Sequence, residues 1–259
     1  MLNQVGRKER RPKPCRLCHA EKNLVEAHII PRHFYHSIRN SGIGFGAGEL
    51  VPRIYAAGSN RKPKQCQSGI FDSNMLCADC DQKVIGPWDK YAQELFLRSF
   101  PKQLATSMRI PAFYCVDSFD YSRLKLFFLS VLWRSAVTEQ EFFDQVDIQG
   151  SEEKIRRMLL EGNPGASEEF PVMAVRYEGP FSEVMISPLR ADIDEARIYH
   201  FRVPRYGWFH QTNDAPIGRE IEFFRVRPNK PLLIKSTRYD STPGLKNLLR
   251  LQRDGKIPE

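Results

Sequence analysis

The sequence predicts an α+β fold in two parts, a cysteine-containing domain over residues 1–105 and an α+β domain with an antiparallel sheet over residues 106–259. Three observations lead to this prediction. Two Cys-x-x-Cys pairs lie in the first part, a strongly apolar segment with helical spacing opens the second part, and short alternating segments follow it. With 259 residues, the chain can bury one large core or two smaller ones.

The first part is predicted to contain short elements separated by loops. Branched side chains predict a strand that ends at Pro31. Alternating glycines and polar residues predict an irregular, flexible loop, and a glycine-proline pair predicts a break in the helix that follows the second cysteine pair. The predicted elements are a strand over residues 23–30, a helix over 32–39, a loop over 40–66 and a helix from Asp81 to Phe100 that is interrupted near Gly86 and Pro87.

The second part is predicted to be a packed domain without a recognisable chemical motif. Apolar residues at helical spacing predict a buried helix, and a second helix ends at a Gly-Asn-Pro turn. Cys115 is expected to be an ordinary buried thiol. The predicted helices are Tyr121–Val137, Glu152–Leu160 and Leu245–Leu251, and the predicted strands are Val172–Tyr177, Val184–Ser187, Arg197–Val203 and Ile221–Val226.

The two cysteine pairs are Cys15 with Cys18 and Cys77 with Cys80. One pair alone could equally be a redox motif, but two pairs in one domain can supply the four thiolates of a tetrahedral zinc site. Two disulfides or four unliganded thiols are the alternatives. The chain lacks an export signal at its start and any apolar run of membrane-spanning length, so we expect a cytoplasmic protein, no membrane partner and reduced cysteines.

Positive charge is concentrated in the first part. Residues 1–105 contain 17 Lys+Arg and 9 Asp+Glu, whereas the remaining residues contain 22 of each. A local excess of this kind is typical of proteins that bind a polyanion, most simply a nucleic-acid backbone. The densest cluster precedes the first cysteine pair, and its alternative interpretation is a solvated arm without a partner. The candidate phosphate-contacting residues of this arm are Arg7, Lys8, Arg10, Arg11 and Lys13.

The order of motifs over about residues 13–95 resembles the HNH (His-Me finger) endonucleases. The matching features are the two cysteine pairs, His28 within Ala-His-Ile-Ile-Pro, and Asn74 shortly before the second pair. The resemblance is to the subset of this family whose ββα-metal core is built into a zinc-stapled treble clef. It therefore implies that fold for the first part.

The resemblance also implies roles for individual residues. His28 would be the general base that activates water against a phosphodiester, for which a near-neutral pKa is suited. Asn74 would orient His28 or hold the loop. A divalent ion, Mg²⁺ or Mn²⁺, would polarise the scissile phosphate. The candidate hard oxygen ligands in this sequence are Asp81 and Glu26, the latter on the same strand face as His28. Arg32 is a further candidate for phosphate contact, since a guanidinium matches phosphate oxygens.

The sequence departs from the family pattern at two positions. Ala27 stands where the family commonly has an acidic metal ligand, and Asp81 stands where it commonly has histidine or asparagine. Other interpretations stay open for three residues. His28 could be a core histidine, Asp81 a helix N-cap, and Asn74 a turn residue.

Three functions follow in order of preference. The first is a metal-dependent endonuclease that hydrolyses DNA with His28 as general base. The second is a non-catalytic zinc module that binds nucleic acid and keeps a degenerate site, which the alanine at position 27 favours. The third, a protein-interaction scaffold, leaves the one-sided charge unexplained. Whether the protein forms a homo-oligomer stays open at this point.

Overall fold

A computed structural model describes residues 12–36, 53–55, 64–65, 69–98, 102–104, 113–179, 182, 185–193 and 195–238. Within these ranges the chain is a mixed α+β protein, as predicted. The predicted helix at Leu245–Leu251, Cys66 and most of the loop over 40–66 lie outside them. No helix in these ranges is long and apolar enough to cross a membrane.

The first cysteine pair and the histidine motif lie on two small antiparallel strand pairs. The strand predicted over residues 23–30 is confirmed as β3, and the helix predicted over 32–39 is confirmed over its described residues, Arg32–His36. Strands β3 and β6 pair from Leu24 opposite Cys77 to His28 opposite Phe71, and their register shifts in the middle of β6. The elements are β1 (Lys13–Pro14) paired with β2 (Glu21–Lys22), β3 (Leu24–His28) paired with β6 (Phe71–Cys77), and helix α1 (Arg32–His36).

The helix after the second cysteine pair is continuous, and the predicted break near Gly86 and Pro87 is wrong. A π-helical segment, Cys80–Ile85, leads directly into α2 (Gly86–Gln93), and a second π-helical segment, Glu94–Arg98, follows. The amide of Gly86 donates to the carbonyl of Asp81, five residues earlier. This wider turn places the proline in the first turn of α2, where its missing N–H and fixed φ are tolerated.

Two helices predicted in the second part, Tyr121–Val137 and Glu152–Leu160, are confirmed, and one strand was wrongly predicted there. Helix α3 (Tyr121–Val137) begins at Asp120, whose carboxylate accepts the amide of Arg123 at 2.9 Å. Helix α4 (Glu152–Glu161) ends at Gly162 in the left-handed conformation, with φ 63°. The predicted strand over residues 221–226 is instead helix α5 (Arg219–Phe224), because its buried residues lie three apart, the spacing of one helix face.

A nine-stranded sheet forms the other layer of the protein. Its order is β5-β4-β10-β11-β12-β9-β13-β8-β7, antiparallel except for the β4–β10 and β9–β13 pairs. The loop predicted over residues 40–66 contributes two of these strands, and β8, β12 and β13 were not predicted. The strands are β4 (Arg53–Tyr55), β5 (Lys64–Gln65), β7 (Lys102–Leu104), β8 (Phe113–Val116), β9 (Val172–Glu178), β10 (Met185–Ile193), β11 (Ala196–Val203), β12 (Tyr206–Gln211) and β13 (Leu232–Arg238).

Aromatic side chains of the core pack this sheet against α3 and α1. Trp208 of β12 is fully buried, with ring centroids 5.8 Å from Phe127, 5.6 Å from Phe128 and 5.6 Å from Phe201. Phe34, from α1, lies 6.3 Å from the same ring. One continuous cluster of buried side chains therefore includes residues from both sides of position 105.

The proposed division at residue 105 stays a prediction, but structural contacts cross it. Strands β4, β5 and β7 come from the first part and pair within the large sheet. Cys115, predicted to be buried, is partly exposed. Below, residues 12–36 and 69–98 are called the cysteine hairpin, and the described residues of 113–238 the sheet region.

Candidate metal centre and histidine site

Four cysteines form the one compact group of metal-ligating side chains among the described residues. The sulfur atoms of Cys15, Cys18, Cys77 and Cys80 all lie within 4.8 Å of one another, and the Cys18 and Cys77 sulfurs are 3.9 Å apart. Zinc–sulfur bonds of about 2.3 Å in a tetrahedron require sulfur separations of about 3.8 Å. A disulfide would need about 2.05 Å. The group can therefore hold a metal ion such as zinc, and the alternative of two disulfides is not observed.

Local backbone geometry brings the two pairs together. The amide of His19 donates to the carbonyl of Cys15 at 2.8 Å, and His19 adopts a left-handed φ of 60°, which closes the first pair into a tight turn. The amide of Cys77 donates to the sulfur of Cys15 at 3.3 Å. The second pair spans the junction of β6 and the π-helical segment that starts at Cys80.

The protonation of the Cys80 thiol depends on whether a cation is bound. Burial and the neighbouring sulfurs raise the pKa of the Cys80 thiol far above its ordinary value. A metal ion reverses this preference because it binds the thiolate form. Beside the group, Lys22 lies 2.9 Å and Lys83 2.7 Å from the Asp79 carboxylate, and these contacts lower the pKa of Asp79 to about 2.

His28 is the last residue of β3 and lies half-buried opposite Phe71. Gly69 has a φ of +89° and packs closely against the rings of Tyr35 and His28. A Cβ at this position would lie 2.8 Å from the Tyr35 ring and 3.1 Å from the imidazole Cδ2. The glycine therefore leaves room for the imidazole, which keeps an edge towards solvent instead of being enclosed in the core.

Asp81 lies near His28 and is half-buried. It is the second residue of the π-helical segment, so it does not take the N-cap position. Burial raises the pKa of the Asp81 carboxyl, the nearby charges of Arg134 and His28 oppose this, and Asp89 adds to it. A partly desolvated carboxylate within electrostatic range of an imidazole is a suitable partner for a cation.

Asn74 and Glu26 are both exposed, whereas His28 and Asp81 are half-buried. Asn74 lies in the irregular middle part of β6, three residues from Phe71. Its side-chain oxygen accepts from the Lys13 ammonium at 3.0 Å, so it holds the segment before the first pair. Glu26 is exposed on β3 and belongs to no group of three or more clustered ligand atoms among the described residues.

The predicted phosphate-contacting residues are only partly described. Lys13 and Arg32 are both exposed, the first in β1 and the second at the start of α1. The remaining arm residues lie outside the described ranges: Arg7, Lys8, Arg10 and Arg11.

Three charged residues at the site were not predicted from the sequence. The Arg134 guanidinium contacts the Asp89 carboxylate and the backbone carbonyl of His28. Asp72 is buried in β6, where its carboxylate accepts from the Thr138 hydroxyl at 2.7 Å and from the backbone N–H of Asn74 at 2.7 Å. The available signals were an arginine within the apolar stretch of α3, and Asp89 eight residues after Asp81, about two helical turns along.

Comparisons with known proteins add no relative. No protein-family model, curated protein or solved structure matches this chain. The function is therefore argued from the residues of the site and their geometry.

Proposed function

We propose that the protein is a metal-dependent endonuclease of the HNH type that hydrolyses phosphodiester bonds in DNA. In this proposal the cysteine hairpin is a zinc-stapled treble clef with a ββα-metal core, and His28 is the general base. One observation carries the proposal. The β3–β6 pair and the helix that starts at Cys80 place the half-buried His28 within the range at which its charge acts on the partly desolvated Asp81 carboxyl, beside a four-cysteine group.

His28 is suited to the chemical step. Its ring stands at the end of a strand with an edge towards solvent, and the neighbouring Gly69 leaves space beside it. An imidazole titrates near neutral pH, so it can take a proton from water that attacks a phosphodiester and later release it.

Asp81 would hold the divalent ion. Mg²⁺ keeps several water ligands and is often bound by one or two carboxylates together with substrate phosphate, so a single protein carboxylate is compatible with it. The ion, when bound, would stabilise charge on the scissile phosphate. Glu26 remains a candidate second ligand through a water, since its exposed side chain lies on the same strand as His28.

The substrate class is proposed from charge. The excess of Lys and Arg lies in residues 1–105, and the exposed Lys13 and Arg32 flank the hairpin that carries His28. Phosphate neutralisation by such residues releases counterions, so binding should weaken steeply with salt. Removing Arg7–Lys13 should reduce that salt dependence. An unchanged slope would show that the arm does not contact the nucleic acid.

A plasmid-cleavage assay with Mg²⁺ or Mn²⁺ tests the proposed activity. We expect His28→Ala to lower the cleavage rate by about 10²–10⁴-fold, the usual contribution of a general base, while DNA binding and zinc content are unchanged. His19→Asn is the matched control, because asparagine tolerates the left-handed conformation of that exposed histidine. Full activity of His28→Ala would show that the active site lies elsewhere.

Two further variants test the cation site. Asp81→Ala should raise the metal concentration needed for cleavage or abolish turnover, because it removes the proposed ligand. Ala27→Asp places a carboxylate at the position where the resembled family commonly has one. Its activity should equal or exceed that of the wild type.

The alternative is a non-catalytic zinc module that binds nucleic acid. It is favoured by Ala27 and by the lack, among the described residues, of a three-ligand group outside the four cysteines. A wild-type protein that binds DNA but cleaves neither DNA nor RNA with any divalent metal, together with a gain of cleavage in Ala27→Asp, would favour this alternative.

A further inference from the structure

We propose that Arg134, from helix α3 of the sheet region, is a positioning residue that fixes His28 and helix α2 relative to each other. This inference rests on the proposed function, because the geometry it fixes is that of the proposed base and cation ligand. Arg134 is more than a hundred residues from His28 in sequence. It lies in the part of the chain for which the sequence suggested no role.

All five N–H donors of the Arg134 guanidinium are used. One Nη1 contact reaches the His28 carbonyl at 2.7 Å, and Nη1 and Nη2 grip the two Asp89 oxygens at 3.0 and 2.8 Å. The remaining donors bond to Ser130, Nε to its carbonyl at 3.2 Å and Nη2 to its hydroxyl at 3.1 Å. A planar fork used in this way fixes orientation as well as distance, which a lysine could not do.

Burial makes this contact stiff. The Arg134 side chain is 1% exposed and Asp89 is 16% exposed. Charge-assisted hydrogen bonds out of water are strong, and a guanidinium left there without its carboxylate would be costly. Moreover, Asp89 lies on the same continuous helix as Asp81.

The connection has a mechanical consequence for the site. His28 ends β3, and its carbonyl is held by the same guanidinium that holds the helix carrying Asp81. The base and the proposed ligand therefore cannot shift independently while this contact exists. Groups outside the first layer of a metal or catalytic site commonly change activity by about 10–100-fold when altered.

A merely stabilising role must be separated from a positioning role. Arg134→Met alone leaves Asp89 buried without its partner and is expected to destabilise the protein, so it is not decisive. The double variant Arg134→Met with Asp89→Leu removes both charges and keeps apolar volume, which often restores stability. It does not restore the bond to the His28 carbonyl. Arg123→Met, an exposed arginine on the same helix, is the matched control.

The experiment compares these proteins in the cleavage assay and by amide hydrogen exchange. For the double variant we expect kcat to fall by about 10–100-fold with little change in KM, and zinc content to be retained. Exchange in residues 24–30 should accelerate by about tenfold, because local opening of β3 becomes easier, while exchange in α4 stays unchanged. Arg134→Lys should fall between wild type and the double variant in both measurements.

The outcomes separate this inference from the proposed function. A stable double variant with wild-type kcat and unchanged exchange in residues 24–30 would overturn the positioning role and leave the nuclease proposal intact. A wild-type protein without cleavage would overturn the nuclease proposal. In that case faster exchange in residues 24–30 of the double variant still supports the connection between Arg134 and β3, and unchanged exchange overturns it.

Discussion

The cysteine hairpin and the sheet region differ in the interactions that stabilise them. In the hairpin, two short strand pairs and a helix converge on four sulfur atoms, and many of the surrounding side chains are exposed. In the sheet region, α3 buries thirteen side chains, and aromatic rings pack between this helix and the sheet. The hairpin therefore adds a four-cysteine group that can hold a metal ion to its share of the apolar core, whereas the sheet region depends mainly on apolar burial.

Several polar contacts cross the boundary between the two regions, and they show where the sheet region contacts the site. Arg134 holds the His28 carbonyl and Asp89, Arg156 of α4 donates to the Leu17 carbonyl, and Thr138 donates to Asp72. Such contacts are directional, so they determine how the hairpin sits, in addition to the apolar contacts around Trp208. The sheet region is thus a support for the hairpin.

The largest effect is expected from loss of the metal. A strong chelator, or Cys77→Ser, should remove a contribution of about 10 kcal/mol, since metal binding by such sites is coupled to folding. Thermal unfolding followed by circular dichroism, with zinc analysis of protein purified without chelator, measures it. Because buried residues of the two regions form one cluster, we expect both regions to be destabilised. Cys115→Ser is the control.

Two outcomes of this experiment would change the comparison. If the sheet region kept its own unfolding transition after chelation, the division at residue 105 would gain support. If protein purified without chelator contained no stoichiometric zinc, the metal assignment of the four cysteines would be wrong.

A smaller effect is expected from the aromatic core. Trp208→Ala should lower the free energy of unfolding by about 3–5 kcal/mol, because it opens a cavity between α3 and the sheet. Its zinc content should be unchanged, since the aromatic contacts of the ring are with phenylalanine side chains and not with the cysteines. Trp208→Phe is the matched control and should cost less, because the indole N–H has no hydrogen-bond partner among the described residues. Urea unfolding measures both variants.

A smaller loss of stability is expected from removing Asp72, a buried carboxylate at the boundary between the two regions. Asp72 is 4% exposed and accepts from Thr138, from the Asn74 amide and, at 3.3 Å, from the Glu139 amide. Asp72→Ala should lower the free energy of unfolding by about 2–3 kcal/mol, because these donors lose a charged acceptor. An effect no larger than that of the exposed control Asp214→Asn would show that this carboxylate contributes little.

The most gradual effect is a pH dependence inside the sheet region, because it builds up over several pH units. Burial lowers the pKa of Lys125 to about 7, while its ammonium donates to the carbonyls of Glu169 and Phe170. The unfolded chain would bind this proton up to about pH 10.5, so stability should rise with pH between about 7 and 10.5.

The rise is at most about 1.4 kcal/mol per pH unit, the value for one proton. Lys125→Met should remove this slope, measured by urea unfolding at pH 7 to 10. Lys90→Met, at an exposed lysine of α2, controls for the loss of one positive charge. A slope that persists in Lys125→Met would assign the pH dependence to other groups.

Local spacing by itself determined much of the architecture. The four cysteines were found from Cys-x-x-Cys spacing alone, since two residues between thiols set the reach of a ligand pair. The strand ending at His28 and helices α3 and α4 followed from branched residues, helical periodicity and a terminal glycine. These are properties of adjacent residues, which sequence patterns record directly.

Only the tertiary structure decided how the candidate site is assembled. Strands β12 and β13 and helix α5 depend on burial against distant partners, so short segments such as residues 221–226 were ambiguous in the sequence. Likewise, the contact of Asn74 with Lys13, and of Arg134 with the His28 carbonyl, depends on the register of β6 and the packing of α3. The sequence could name candidate residues, but contacts across a hundred positions determined which of them meet.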